Sequence, residues 1–167
     1  MGLEREIMQK FGNRVRLRVC GICYENDQIL MVKHSGLSIK GYLWAPPGGG
    51  VEFGSSIAIN LIREFKEETG LEVEVEQFLF INEFLSPPLQ AIELFFKVKR
   101  KSGSLKTGLD PEMGSKSQII EEVKFFGKEE LKKEQGPQIH SAFLGNKHPS
   151  QILNLKGYFK FENNYIK

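Results

Sequence analysis

The first part of the chain alternates apolar and polar positions with the period of a β-strand. Residues 14–24 and 28–34 carry this pattern, and the polar turn at 25–27 between them predicts a hairpin. A long loop is expected next, ending in the glycines at 48–50. A short strand is predicted at 51–53. The amino-terminal part of the chain is therefore expected to form sheet.

A helix is predicted after this strand, because apolar residues then recur with a helical period. Ser55 or Ser56 can provide the N-cap oxygen, and Gly70 can adopt the left-handed conformation that ends a helix. Between these caps the apolar positions are Ile57, Ala58, Leu61, Ile62 and Phe65. The pattern predicts one helix that buries a single face and stops at Gly70.

The second half of the chain predicts further strands and a late helix. Strand-like segments at 71–84 and 90–100 are separated by a pair of prolines. A glycine-dotted loop at 102–117 follows and is long enough to act as a specificity lid. The remaining expected elements are a strand at 119–126, a short helix at 128–134, and a tail over 138–167 with a helix before Gly145 and a last strand-like piece. Strands on both sides of the central helix indicate an α/β fold with a mixed sheet.

Composition and charge narrow the class of protein. A length of 167 residues favours one domain over 1–167. The 23 basic and 21 acidic residues give a net charge of +2, too small and too evenly spread to predict nucleic-acid binding. No apolar run approaches the roughly 18 residues of a membrane span, and the first residues lack the apolar core of a secretory signal. We therefore expect a cytoplasmic protein that does not cross a membrane.

The two cysteines form a Cys20-Gly21-Ile22-Cys23 pair. Such a pair can be a redox motif or half of a zinc site. The strand pattern that leads into Cys20 favours a different interpretation, in which both are reduced thiols packed in or beside the sheet.

Three carboxylates crowd the end of the predicted helix. Glu64, Glu67 and Glu68 stand at i, i+3 and i+4, so they project from one face within a single turn. Like charges in the last turns of a helix destabilise it by roughly a few tenths of a kcal/mol per pair. Hard divalent cations prefer oxygen ligands, and consecutive glycines let backbone atoms approach a ligand closely. A solvated acidic helix end is the alternative, but the glycines at 48–50 favour a metal-assisted phosphate site.

From Gly49 to Leu71 the chain resembles the signature of the Nudix hydrolases, G-x5-E-x7-R-E-U-x-E-E-x-G-U, where U is a bulky apolar residue. The residues in register are Gly49, Arg63, Glu64, Phe65, Glu67, Glu68, Gly70 and Leu71. Ser55 stands where the signature has its first Glu, which in the family commonly supports the signature Arg. The resemblance covers about residues 14–135 as a core, with a carboxy-terminal extension at 136–167.

The resemblance implies an α/β/α sandwich around a mixed sheet and a metal-dependent pyrophosphohydrolase. Its substrate would be a small nucleotide-type molecule, a nucleoside diphosphate linked to another moiety, such as a nucleotide sugar like ADP-ribose or a nucleoside triphosphate. Mg²⁺ or Mn²⁺ would be the cofactor, and the resemblance is compatible with a homodimer of this chain. Carried over to this chain, the metal ligands would be Glu64, Glu67, Glu68 and the carbonyl of Gly48, Arg63 would orient a ligand carboxylate, and Gly49, Gly50 and Trp44 would contact substrate.

The resemblance leaves the general base open. The base is expected to be Glu64 or an acid from a later loop or strand. Glu122, just before the strand residues 123–126, is our candidate, with Glu121, Asp110 and Glu112 as alternatives.

Other polar and aromatic side chains carry weaker expectations. Four aromatic side chains could stack on a nucleotide base, although core packing is favoured for each: Trp44, Phe53, Phe80 and Phe84. The arginines at 14, 16 and 18 either approach phosphates or face solvent. We expect Glu93 to face solvent, and His140 and His148 to lie at the surface.

Two hypotheses of function follow. The first is a hydrolase, because Glu64, Glu67 and Glu68 are all retained. The second is a catalytically weak nucleotide-binding or sensing domain on the same fold, because Ser55 replaces a supporting carboxylate.

Overall fold

The computed structural model describes residues 3–113 and 118–161, and within them eight strands form one mixed sheet. The predicted loop at 102–117 and the tail to residue 167 thus lie partly outside the described residues. In chain order the elements are α1 (Leu3–Phe11), β1 (Arg14–Glu25), β2 (Gln28–Ser35), β3 (Tyr42–Ala45), β4 (Gly48–Gly50), α2 (Ile57–Thr69), β5 (Glu72–Ser86), β6 (Leu89–Ser102), β7 (Ile120–Phe126), α3 (Lys128–Lys133) and β8 (Gly157–Phe159). Two 3₁₀ helices, Ser141–Phe143 and Pro149–Asn154, precede β8.

Strand β1 is the centre of the sheet. The main strand order is β3-β2-β1-β6-β5-β8, with β7 paired to β2 and β4 paired to β1. Strand β1 runs parallel to β6 and antiparallel to β2 and β4. Because β1 bonds to different partners along its length, the glycine strand β4 is held directly beside its middle.

The two faces of the sheet bury separate apolar clusters. On one face α2 packs Leu61 and Phe65 against Val19 of β1. On the other face α3 and the 3₁₀ helices pack Leu131 and Phe143 against the sheet. Helices therefore cover both faces, which confirms the mixed α/β sandwich.

Helix α2 begins and ends where its capping residues predict. The Ser56 hydroxyl accepts a hydrogen bond from the backbone N–H of Ile59, and Gly70 adopts φ 73° as the left-handed C-cap. Residue 21 of β1 is also glycine for a packing reason, since a Cβ there would lie 2.3 Å from the ring of Phe65. These local contacts fix α2 against β1.

Three local predictions differ from the structure. The prediction of a strand at 51–53 is wrong, because the strand in this region is β4, three residues earlier. The N–H of Glu52 donates to the side-chain oxygen of Asn60 at 3.0 Å instead of to a neighbouring strand. Strand β3 lies within the predicted loop, because four residues are too few to show a period. Helix α1 lies in a segment for which the sequence pattern predicts no element. None of the helices in the described ranges is long and apolar enough to span a membrane.

The cysteines are buried in the sheet without a disulfide, as predicted. Burial raises the pKa of Cys23 to about 12, so the thiol stays protonated at neutral pH.

Candidate active site

Strand β4 brings glycine backbone against the acidic face of α2. The N–H of Gly48 donates to Oε2 of Glu68 at 3.0 Å. At Gly49 a Cβ would lie 2.5 Å from the carboxyl carbon of Glu64. Only a residue without a side chain permits this approach, so the glycines and the carboxylates form one unit.

Gly48 is also fixed by the sheet itself. A Cβ there would lie 2.1 Å from the carbonyl oxygen of Val19, a backbone atom that cannot move aside. We expect Gly48→Ala to lower the free energy of unfolding by about 3 kcal/mol, measured by urea titration. Gly41→Ala is the matched control, because Gly41 has φ 80° with no atom near its Cβ position, and a left-handed alanine costs about 1–2 kcal/mol. Equal losses in the two variants would contradict the proposed backbone clash.

The acidic face of α2 buries two of its carboxylates. Glu64 and Glu68 are each only 2% exposed. Burial, with the neighbouring charge of Glu68, raises the pKa of Glu64 to about 8, although Arg63 opposes the shift. Burial likewise raises the pKa of Glu68, against the opposing contacts of His34 and Gly48. Burial therefore favours the uncharged forms of both carboxyl groups, and a bound cation would favour their charged forms.

Arg63 links the acids of α2 to the loop before the helix. Its guanidinium donates to Glu67 at 2.8 Å and to Glu64 at 2.9 Å. It also lies 3.4 Å from a carboxylate oxygen of Glu52 and 3.4 Å from the side-chain oxygen of Asn60. Glu52 thus supplies a carboxylate partner to Arg63 where the signature would use the residue that is Ser55 here.

The loop after β6 is held by the carboxy-terminal end of α2. Backbone N–H groups of Lys106, Gly108 and Leu109 donate to the last carbonyls of the helix, at 2.8 to 3.2 Å. These carbonyls have no partner within the helix, so they anchor the loop. The anchored loop carries Asp110 and Glu112 to the site.

Glu112 joins this loop to the glycine strand β4 by a hydrogen bond. One carboxylate oxygen accepts the N–H of Gly50 at 3.0 Å, and the other accepts a bond from Arg16 at 3.1 Å. The Arg16 guanidinium in turn lies over the ring of Phe11 in α1, 3.7 Å from its centroid. Helix α1, β1, β4 and the loop therefore meet at one place.

A cavity of about 300 Å³ opens between these elements. Its acidic wall includes Glu64, Glu68, Asp110 and Glu112, and its apolar wall includes Ile7 and Phe11 of α1. The volume is within the range of small-molecule sites, and the mixture of apolar wall and convergent charges is typical of them.

The acids suit a hard divalent cation by their chemistry. The buried carboxyl groups of Glu64 and Glu68 have only Arg63 and His34 as cationic or potentially cationic neighbours within 4 Å in the described ranges, so a cation would stabilise their charged forms. All the candidate donors are oxygen atoms, the preference of Mg²⁺ and Mn²⁺. No three His, Cys, Asp or Glu side chains within the described ranges already converge as a metal site, and Glu67, unlike Glu64 and Glu68, does not line the cavity. Glu64, Glu68 and the Gly48 backbone are therefore the part of the predicted ligand set that the fold assembles.

Five of the predicted site residues are not among those that line the cavity, namely Gly50, Arg63, Glu67, Trp44 and Glu122. Trp44 is 4% exposed and packs on Phe126, with ring centroids 4.6 Å apart, so the structure places it in the core. Glu122 is exposed on β7, opposite Lys33 of β2, and is not among the residues that line the cavity. Of the alternative acids, Asp110 and Glu112 line the cavity.

The expectations for Glu93 and His140 are wrong. Glu93 is buried rather than solvent-facing, and Nε2 of His140 donates a hydrogen bond to its carboxylate at 2.8 Å. Both line the cavity. The strand period correctly puts Glu93 on the same face as Ala91 and Phe95, but it carries no information about which later segment covers that face.

Comparison with known families agrees with this architecture. The family model described as NUDIX domain matches residues 13–145. The match covers most of the chain, so the protein belongs to the Nudix hydrolase family, as the signature at 49–71 predicts.

Individual relatives match part of the chain. An ADP-ribose pyrophosphatase of Methanocaldococcus jannaschii is 35% identical over 94 residues, 55% of this chain and 55% of that protein. The chain thus spans about half the length of the curated relatives it matches. A solved NUDIX hydrolase from Nitrosomonas europaea has a TM-score of 0.61 at 19% identity, covering 80% of this chain and 82% of that one. A solved UDP-X diphosphatase has a TM-score of 0.61 at 22% identity, covering 96% of this chain and 76% of that one. At sequence identities this low, the structural likeness shows only that the fold is shared.

Proposed function

We propose that the protein hydrolyses the pyrophosphate linkage of a nucleoside diphosphate joined to another group, with Mg²⁺ or Mn²⁺ as cofactor. The observation that carries the proposal is the pairing of buried Glu64 and Glu68 with the glycine strand on one wall of the cavity. The name of the M. jannaschii relative, ADP-ribose pyrophosphatase, supports the same class of substrate.

Each residue of the site has a proposed role. Glu64, Glu68 and the Gly48 carbonyl would hold the cation, with Glu67 as a further carboxylate. When bound, the cation would neutralise phosphate oxygens and acidify water. Arg63 positions the carboxylates of Glu64 and Glu67 through its hydrogen bonds.

The proton of the water would be accepted by an acidic residue that lines the cavity. Glu112 is half-buried beside Gly50 and Arg16, so it could take a proton from water at the diphosphate. Its place in the cavity makes Glu112 a better-supported base than Glu122, which stays a prediction. Gly49 and Gly50 leave room for the phosphates beside the acids.

A phosphatase-coupled release assay tests the proposal. Purified protein would be given nucleotide sugars, dinucleotides and nucleoside triphosphates with Mg²⁺, with Mn²⁺ and with chelator. We expect turnover of at least one substrate class that chelator abolishes and that Glu64→Gln loses. No turnover of any substrate with either metal would reject the hydrolase.

A nucleotide sensor is the second candidate, and Ser55 is the observation that favours it. A sensor would bind an intact nucleotide and release no product. The Glu52–Arg63 contact weighs against this alternative, because it gives Arg63 a carboxylate partner despite Ser55.

The support of Arg63 by Glu52 can be tested by substitution and rescue. We expect Glu52→Gln to lower kcat about 3- to 10-fold with little change in KM, because a looser Arg63 holds Glu64 and Glu67 less well. Adding Ser55→Glu to that variant should restore most of the loss. Glu72→Gln, which removes an exposed carboxylate from an ion pair with Lys66, is the matched control. If Glu52→Gln behaves like this control, Glu52 does not support the site.

A further inference from the structure

The cavity contains a buried carboxylate that the proposed hydrolysis does not use. Glu93 of β6 is 4% exposed and lies beside Arg18, its register partner on β1. Both line the cavity. A carboxylate in a cavity that receives an anionic diphosphate needs an explanation, because like charges repel most where water is excluded.

One oxygen of Glu93 is already satisfied by the protein. Oε2 accepts bonds from the Asn82 amide and from Nε2 of His140, both at 2.8 Å. Nδ1 of His140 accepts the backbone N–H of Ala142 at 3.2 Å, which assigns the ring proton to Nε2. Asn82 is oriented in the same way, since its amide oxygen accepts the N–H of Phe161 at 3.2 Å. These partners fix the carboxylate in one orientation.

The other oxygen of Glu93 remains available to a ligand. Oε1 lies 3.8 Å from Nη1 of Arg18, which is beyond hydrogen-bond distance. Nε of Arg18 is buried and makes no hydrogen bond within the described ranges. A buried donor without a partner thus belongs to the side chain that lies beside an oxygen of Glu93 for which no hydrogen bond forms within the described ranges.

We propose that Glu93 and Arg18 bind a sugar hydroxyl of the group joined to the diphosphate, so that the protein prefers nucleoside diphosphate sugars to nucleoside triphosphates. A hydroxyl is uncharged, and it can donate to Glu93 while accepting from Arg18. A terminal phosphate offers only acceptors and is repelled by the carboxylate. The inference rests on the proposed function, which places the diphosphate beside Glu64 and Glu68.

Equilibrium binding in chelator tests the subsite without turnover. Titration calorimetry would compare ADP-ribose, ADP-glucose, UDP-glucose and ATP on the wild-type protein and on Glu93→Gln. We expect the wild type to bind the three sugar nucleotides about tenfold or more tightly than ATP. Glu93→Gln should remove about a tenfold preference by weakening the sugar nucleotides and leaving ATP unchanged or improved. Glu74→Gln, which changes an exposed carboxylate on β5, is the matched control and should bind as the wild type does.

The same titrations contain the outcomes that would overturn the subsite. An equal loss of affinity for all four ligands would assign Glu93 a structural role. An effect of Glu93→Gln that differs about tenfold between ADP-glucose and UDP-glucose would show recognition of the base instead of the sugar. Should Glu93→Gln not fold, as judged by its melting curve, the wild type alone decides, because equal affinity for ADP-ribose and ATP rejects the preference.

Failure of the subsite and failure of the proposed function are distinguishable. A wild-type protein that prefers sugar nucleotides in chelator, yet releases no product with either metal, would keep the subsite and reject the hydrolase. A protein that hydrolyses ADP-ribose and ATP with equal kcat/KM would keep the hydrolase and reject the subsite.

Discussion

Glu68→Gln is expected to lower kcat by about a hundredfold or more while leaving the metal-free protein at least as stable as the wild type. The loss of activity follows because an amide carries no charge to hold a cation. The stability follows because Glu68 is 2% exposed, and burial of its charged form is unfavourable. Glutamine keeps an oxygen that can accept the N–H of Gly48.

The two effects are measured separately. Turnover would be followed with Mn²⁺ on the best substrate of the panel, and the melting temperature would be recorded in chelator. Glu129→Gln, at an exposed position in the first turn of α3, is the matched control for the substitution itself. A variant that melts well below the wild type in chelator would show that Glu68 stabilises the fold, and turnover within about threefold of the wild type would remove Glu68 from the proposed cation site.

The acidic helix could be predicted because local rules determine it. The caps at Ser56 and Gly70 and the spacing of Glu64, Glu67 and Glu68 all depend on residues within a few turns of one another. The flanking strand was misplaced by three residues for the opposite reason. Three glycines have no side-chain pattern, and their pairing with β1 depends on a strand about thirty residues earlier.

The far wall of the site could not be predicted from local pattern. Glu112 reaches Gly50 because the loop at 106–109 bonds to the end of α2, a contact between segments that lie far apart in sequence. Residues of helix α1 line the same cavity as Glu93 and His140, although these three parts of the chain lie far apart in sequence. A strand period separates the two faces of a sheet, but only the tertiary fold decides which face water reaches.

Ser55 shows how a departure from a signature can be compensated in three dimensions. The sequence register excludes Glu52 as a substitute, because ten residues rather than seven separate it from Arg63. The loop before α2 folds back so that this carboxylate still approaches the guanidinium. Asn60, with no exposed surface, joins the same loop to the helix through its bonds to Glu52 and Ser56.

The second large effect expected is acid destabilisation through Glu93. Burial alone would raise the pKa of Glu93, but His140, Arg18 and Asn82 outweigh burial and lower it from 4.5 to about 2. A group whose pKa is lower in the folded than in the unfolded state stabilises the fold above the unfolded pKa. Its contribution is therefore complete above about pH 4.5 and is lost as the pH falls toward 2.

The expected size of this loss is about 3 kcal/mol, since one pKa unit corresponds to about 1.4 kcal/mol. Urea unfolding of the wild type and of Glu93→Gln at several pH values between 5 and 2 measures it. The stability of the wild type relative to the variant should decline by about that amount over this window, because glutamine does not titrate. Glu74→Gln, at an exposed position on β5, is the matched control for the substitution itself. A wild-type advantage over Glu93→Gln that stays constant down to pH 2 would mean that the carboxylate is not held ionised by its neighbours, and the charge on which the sugar subsite depends would then be lost as well.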